Sequence, residues 1–380
     1  MKRPLFLTNK LLLIIALTTL CSSCARPRIL KPPNLANRVY NPSSNQAWHP
    51  LELKGKLQIS KTEKIAGVPV GSILEYGDYL LFCTANGYLY SGFKADISEL
   101  VNIRLGKGCS ATPTLYKNIV YLSFLKGEYG LIAYDLRTAK EIWNVPEHLS
   151  SASPIIVRGL LVHSTNDGKI TAFTLKDHSE TWSVDTGSRI VANPVASDSQ
   201  IFITGRDGLI QSYALENGTL QWSTRTNDHF YAPSMLIGQS LYAFSYSGTI
   251  YQFDIKTGQE LNRYKTSAPI YQAAANDKNN LYICSADGEI SALTQSNLTK
   301  LWSRTLNGPA SAAPVSLRNE LLIPLASRTL YRINSANGKT IQKLNFERRI
   351  TNQPLVCAEQ VFVGTRTASF IELKEAGKKP

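Results

Sequence analysis

The stretch "GRDGLIQSYALENGTLQW", Gly205–Trp222, holds two turn signals around one strand-like run and closes on a tryptophan. Forty residues earlier the chain reads "NDGKITAFTLKDHSETW", ending on Trp182. Asp-Gly between two alternating apolar runs marks a tight hairpin, of type I′ by preference, because glycine takes positive φ without steric cost. Gly168, Gly208, Gly248 and Gly288 stand forty apart, preceded by Asp167, Asp207, Ser247 and Asp287. Gly87 and Gly130 read as earlier copies, and Arg328 and Ala368 hold the same slot in the last two. A second turn slot follows ten residues later, at His178, Gly218, Gly258, Leu298 and Gly338. Four residues beyond it come Trp182, Trp222, Asn262, Trp302 and Gln342, with Trp143 as the earlier copy. Prolines open the units at 69, 113, 154, 194, 233, 314 and 354, with "QAA" at 272–274 in the remaining one.

Each unit therefore reads as four short strands in about forty residues, with no helical periodicity. Eight units begin between Pro69 and Pro354. One four-stranded sheet cannot bury both of its faces. Stacking such sheets around an axis buries both, and closing the ring leaves only short edges. The fold expected is all-β: an eight-bladed β-propeller of four-stranded antiparallel blades. A seven-bladed ring with one degenerate copy and an open solenoid are the alternatives. The eighth unit stops at "ASFIELK" (368–374) without a Trp-bearing strand. The segment "WHPLELKGKLQIS" (48–60), with Leu51, Leu53, Leu57 and Ile59 alternating, is expected to supply that strand and tie the last blade to the first. The ring then occupies 49–380.

The N-terminus is of another kind. Lys2, Arg3 and Lys10 flank "LLLIIALTTL" (11–20), an apolar run too short to cross a bilayer as a helix. "LCSSCARPR" follows and resembles a bacterial lipoprotein signal. That resemblance implies cleavage after Ser23, a lipidated Cys24 and, with Ala25 next, delivery to an outer membrane. Residues 1–23 are then the signal and 24–48 a Pro-rich tether with Pro27, Pro32, Pro33 and Pro42. The formal net charge is +13; without Lys2, Arg3 and Lys10 there remain 38 basic against 28 acidic side chains. Arg26, Arg28, Lys31 and Arg38 lie in the tether, either against anionic head groups or simply solvated. The other bases are scattered without a run of five, so nucleic-acid binding is not expected.

"IYQFDIKTGQEL" and "ICSADGEISAL" resemble the quinoprotein-like (PQQ-like) propeller repeat. With a lipoprotein signal and eight units in 380 residues, the chain is similar to the BamB family of outer-membrane lipoproteins. The resemblance implies an anchored, non-enzymatic scaffold that faces the periplasm. Its expected partner is the periplasmic part of a BamA-like barrel-insertion protein. It also suggests one contact, Arg189 in "TGSRIVANP", five residues before Pro194. The family's leucines ahead of that arginine are absent, and Thr186, Gly187 and Ser188 stand there instead.

No catalytic, cofactor or metal site is expected. Quinoprotein dehydrogenases hold their cofactor with adjacent cysteines, and this chain has no such pair. The recurring tryptophans read as blade-docking residues, whose flat rings fill the gap between sheets. His49, His148, His163, His178 and His229 lack ligand spacing, and His178, in a glycine slot, reads as an exposed turn residue. Asp167, Asp207 and Asp287 are accounted for by turn chemistry, although a repeated Asp can also line a calcium or sugar site. Cys83, Cys109, Cys284 and Cys357 have no CxxC spacing; buried thiols, or a bridge such as Cys83–Cys109 or Cys83–Cys357, are both open. The competing functions are a cell-envelope binding module for a glycan or another protein, and a quinone-dependent dehydrogenase.

Overall fold

The computed structural model describes residues 39–40 and 50–376. The signal segment, Cys24 and most of the tether lie outside the described residues. Among the described residues the strands form eight antiparallel sheets, one per unit, arranged as an eight-bladed propeller. Blade 4 is representative: Val195–Ala196, Gln200–Thr204, Leu209–Ala214 and Leu220–Arg225 run in order from the axis outward. The second strand of each blade is buried on both faces, as in Gln200–Thr204, where only Gln200 is partly open. The outer strand alternates and offers one face to water, as in Glu260–Lys265. This gradient from axis to rim is why the inner strands read as continuous apolar runs and the outer ones as alternating ones.

The first turn is not type I′. In blade 3 the Thr165 amide donates to the Lys169 carbonyl at 2.9 Å, and the Gly168 amide donates back to the Thr165 carbonyl at 3.1 Å. Only Gly168 takes positive φ (104°); Asn166 and Asp167 do not. This is a three-residue connection, a type I turn followed by a left-handed glycine. Blade 2 departs further. Its hairpin is lengthened, the turn falls at Gly127 (φ 112°), and Gly130 lies in the strand Tyr129–Asp135 with a bulge beside it.

The second turn holds the blades together. Trp182, Trp222 and Trp302 each donate their indole N–H to a carbonyl of the next blade, of Leu215, Ile255 and Ser335, at 2.9, 2.8 and 3.0 Å. Each ring lies under the next blade's turn glycine. A Cβ on Gly218, Gly258 or Gly338 would come within 2.6, 2.5 or 2.9 Å of it. Where the tryptophan is replaced by Asn262, the glycine is replaced as well: Leu298, only 2% exposed, fills the space. His178 is likewise not an exposed turn residue. It keeps the left-handed backbone (φ 58°) but is half-buried, stacked on Trp143 at 4.8 Å and bonded to the Tyr121 hydroxyl at 3.0 Å. Burial holds its pKa below the usual histidine value.

Blade 8 takes its outer strand from the N-terminal side. Leu57–Lys64 pairs antiparallel with Ser369–Glu375, outside Gln360–Thr365 and Leu355–Cys357. The strand starts later than the alternation suggested. Leu53 and Leu57 are buried in the cluster between blades 7 and 8, whereas Ile59 faces solvent beside a register shift. Arg332 anchors this segment. Its buried guanidinium bonds both carboxylate oxygens of Glu320 at 2.9 and 3.0 Å and reaches the carbonyls of Leu53 and Gly55 at 3.0 and 2.6 Å. Gln342, in the tryptophan slot of blade 7, exchanges two bonds with the Leu57 main chain at 2.9 and 2.7 Å. On the other side, Phe370 of blade 8 stacks on Phe82 of blade 1 with ring centres 4.5 Å apart.

Candidate functional site

Two surfaces meet at one end of the ring, where the Asp-Gly turns and the loops between blades lie together. The first is the axial channel, a cavity of about 300 Å³ lined from all eight blades. One slot faces it in every blade. In blades 1 to 4 it holds Ser72, Thr112, Ser153 and Asn193, and in blade 8 Gln353. Ser72, Thr112 and Ser153 each donate their amide N–H to the next blade's slot side chain, at 2.7, 2.9 and 2.8 Å. The belt stops at Pro233, Ala273 and Ala313, which offer no side-chain acceptor. Among the described residues the lining carries no carboxylate, imidazole or thiol; its polar groups are neutral hydroxyls and amides, including the Tyr231 phenol.

The second surface is the rim around the channel. Arg189 sits there, exposed, just before the bridge Ile190↔Gly205. Its carbonyl accepts the Arg206 amide at 2.9 Å, which fixes this interblade loop against the first turn of blade 4. Beside it opens a cavity of about 620 Å³ lined by Glu147, His148, Leu149, Asn166, Asp167 and Arg189. Going around the ring, the Arg206 guanidinium lies 5.0 Å over the Tyr231 ring and bonds its hydroxyl at 3.0 Å. Tyr231, Tyr246 and Tyr271 then stand edge to face, with centres 5.6 and 5.7 Å apart. Tyr246 is 44% and Tyr271 48% exposed. An arginine on a tyrosine face and two half-open tyrosines make a rigid amphipathic surface of the composition that dominates protein interfaces.

The sequence pointed to Arg189 but missed the tyrosines. A signal was present: Tyr231 and Tyr271 are forty apart and share one slot, and Tyr246 shares its slot with Arg206. Those slots vary from blade to blade, so a search for what repeats passes over them.

The turn aspartates also sit at this end and knit neighbouring loops. Asp207 accepts from the Ser188 hydroxyl and pairs with Arg225 at 3.0 Å. Ser267 donates to Asp287 at 2.5 Å. Partial burial would raise these carboxyls, but the donated hydrogen bonds outweigh it and hold both pKa values below the usual range. Among the described residues, no group of three or more His, Cys, Asp or Glu is placed to hold a metal ion. No helix among them is long and apolar enough to cross a membrane.

The family model of outer membrane protein assembly factor BamB matches residues 38–182, 157–278 and 236–374, which together span the ring. The chain belongs to the BamB family. Three solved structures share the BamB-type propeller at low identity. BamB from Moraxella catarrhalis is 18% identical, with a TM-score of 0.68 over 84% of this chain and 100% of that one. The computationally designed Ika8 protein is 14% identical, with a TM-score of 0.71 over 82% and 98%. The quinohemoprotein alcohol dehydrogenase of Comamonas testosteroni is 10% identical, with a TM-score of 0.72 over 89% and 80%. At these identities the likeness concerns the fold, which an assembly factor and an alcohol dehydrogenase share. Sequence comparison with curated proteins finds no significant match.

Proposed function

We propose that this chain is a lipid-anchored scaffold subunit that supports assembly and insertion of β-barrel proteins into an outer membrane. Cys24 carries the anchor, the ring faces the periplasm, and the partner is the periplasmic part of a BamA-like insertion protein. The observation that carries this reading is the BamB family match across the whole ring. The rim supports it: Arg189 lies on the loop bonded to the turn of Arg206, and Arg206, Tyr231, Tyr246 and Tyr271 form a contiguous, partly exposed ladder over blades 4 to 6. Arginine supplies a planar cation and several donors to a partner, and the tyrosines supply contact area at little entropic cost.

The test is affinity capture from detergent-solubilised envelope with Cys24 intact, read by mass spectrometry. Recovery of a barrel-insertion protein is expected, and Arg189→Glu is expected to weaken it by tenfold or more, about 1.4 kcal/mol. Recovery of a different envelope system would overturn the assignment. The open tyrosine ladder also suits a second reading, a glycan-binding module. Retention on isolated cell wall, lost in Tyr246→Ala, would select that one.

A further inference from the structure

Blade junctions inside the array bring together one residue at the end of a second strand and another 26 positions later, in the loop entering the next blade. Phe244 and Ile270 are such a pair, packed in one apolar cluster. Cys284 and Ala310 are the next pair, again within one cluster. Between blades 1 and 2 the two positions are Cys83 and Cys109. Cys83 lies on Tyr79–Thr84, and Cys109 on Lys107–Cys109, which pairs with the long hairpin of blade 2 through Cys109↔Phe124. Both are buried, at 1% and 3% exposure, in one cluster. Both are free thiols here, packed in that one cluster at the junction. Cys357 packs in a different cluster, between blades 8 and 1, and Cys284 in a third.

We propose that Cys83 and Cys109 are a disulfide-forming pair that staples blade 1 to blade 2 when the chain folds under oxidising conditions. The co-reactant is an external disulfide, either a small-molecule one or that of a thiol oxidase. The thiolate of one cysteine attacks it, forming a mixed disulfide and releasing one thiol. The second cysteine then displaces the other sulfur. The two cysteines lose two electrons, the co-reactant gains them as two thiols, and the two protons pass to its sulfurs. Neither thiol is reachable once the junction has closed, so the bond forms before blade 1 docks on blade 2. Burial also raises the Cys83 pKa, which disfavours the attacking thiolate in the folded protein. A periplasmic address would supply the oxidant, but the assignment rests on the geometry of the junction and is tested in vitro.

The full chain is refolded in buffered oxidised and reduced glutathione, denatured, alkylated without reduction and peptide-mapped. The expected result is one linked peptide pair holding Cys83 and Cys109, lighter by two hydrogens, with Cys284 and Cys357 alkylated. Reductant should then lower the thermal midpoint of the wild type and leave Cys83→Ser unmoved. Alkylation of both Cys83 and Cys109 without reduction would overturn the proposal, and so would a Cys83–Cys357 link. The wild-type peptide map decides this even where a cysteine variant folds poorly, and neither result bears on the scaffold reading.

Discussion

Three of the four junctions between blades 3 and 7 share one contact, an indole under a turn glycine that donates to the next blade's carbonyl, and between blades 5 and 6 Asn262 and Leu298 replace it. The junctions from blade 7 through blade 8 to blade 1 have none of it. There a buried Arg332–Glu320 pair, the Gln342 amide and a stack of Phe82 on Phe370 do the joining. The difference follows from how the ring closes. A junction inside the array joins two segments continuous in sequence, so a short shape-specific contact suffices. The closing junction must capture a strand some 300 residues away, which carries a larger loop-closure cost. There Arg332 and Gln342 bond the main chain of Leu53, Gly55 and Leu57, which fixes where the strand Leu57–Lys64 begins.

The sharpest way to break this comparison is Arg332→Ala. It leaves Glu320 buried without its cation and frees the carbonyls of Leu53 and Gly55. Such losses cost about 3–5 kcal/mol. Hydrogen exchange should show Leu57–Lys64 opening ahead of blades 3 to 6. Uniform loss of protection would mean that the closing junction has no stability of its own.

The repeated contact can be tested by borrowing the junction between blades 5 and 6. Trp222→Asn should cost about 3 kcal/mol in a denaturant melt, through lost packing and an unpaired Ile255 carbonyl. Gly258→Leu should also be severe alone, since its Cβ would strike the Trp222 ring at 2.5 Å. Together they recreate Asn262 with Leu298, and a double-mutant cycle should return a favourable coupling of at least about 1 kcal/mol. Additive costs would mean that the two replacements at the junction of blades 5 and 6 are unrelated.

Where the regular arc meets blade 2, a histidine makes the junction sensitive to acid. His163 is buried, its Nε2 on the His148 carbonyl at 3.2 Å and its Nδ1 without a protein partner. Burial lowers its pKa to about 4. The unfolded chain takes up this proton near its ordinary value of about 6.5, and the folded chain only near 4. The contribution is therefore complete above about pH 6.5 and is lost as pH falls toward 4, by about 3 kcal/mol. His163→Phe should flatten stability over that window, and an unchanged acid limb would assign it to other groups.

These tests also mark what the sequence could disclose. The forty-residue spacing made the blades and the docking role of the tryptophans legible, because a repeat displays each junction several times, whereas Arg189 was suggested by the family resemblance alone. Arg332 and Glu320 have no periodic copies, and their main-chain partners lie about 280 residues away, so no local pattern announces them. His178 was misread because its slot elsewhere holds glycine; its stacking on Trp143 depends on a neighbouring blade. The tyrosine ladder depends on side-chain directions from three loops, which spacing does not encode.

The first-turn slot gives the smallest and finest contrast. Gly168, Gly208 and Gly248 combine positive φ with close backbone contact, where a Cβ would lie 2.4 Å from a carbonyl oxygen of the following loop. Arg328 and Ala368 occupy the same slot at φ 67° and 56° and carry their Cβ there already. In the last two blades, therefore, the loop stands clear and only the backbone preference is unfavourable. Gly208→Ala should cost about 2 kcal/mol or more, since left-handed strain alone is about 1–2. Ala368→Gly relieves that strain but loosens the unfolded chain by about 0.4–1 kcal/mol. Its net gain should be about 0.5 kcal/mol, read as a small rise in the denaturant midpoint at unchanged slope. A loss at Ala368 would mean that its methyl group, like the main chain that pairs Ala368 with Ile65, helps to hold the closing strand.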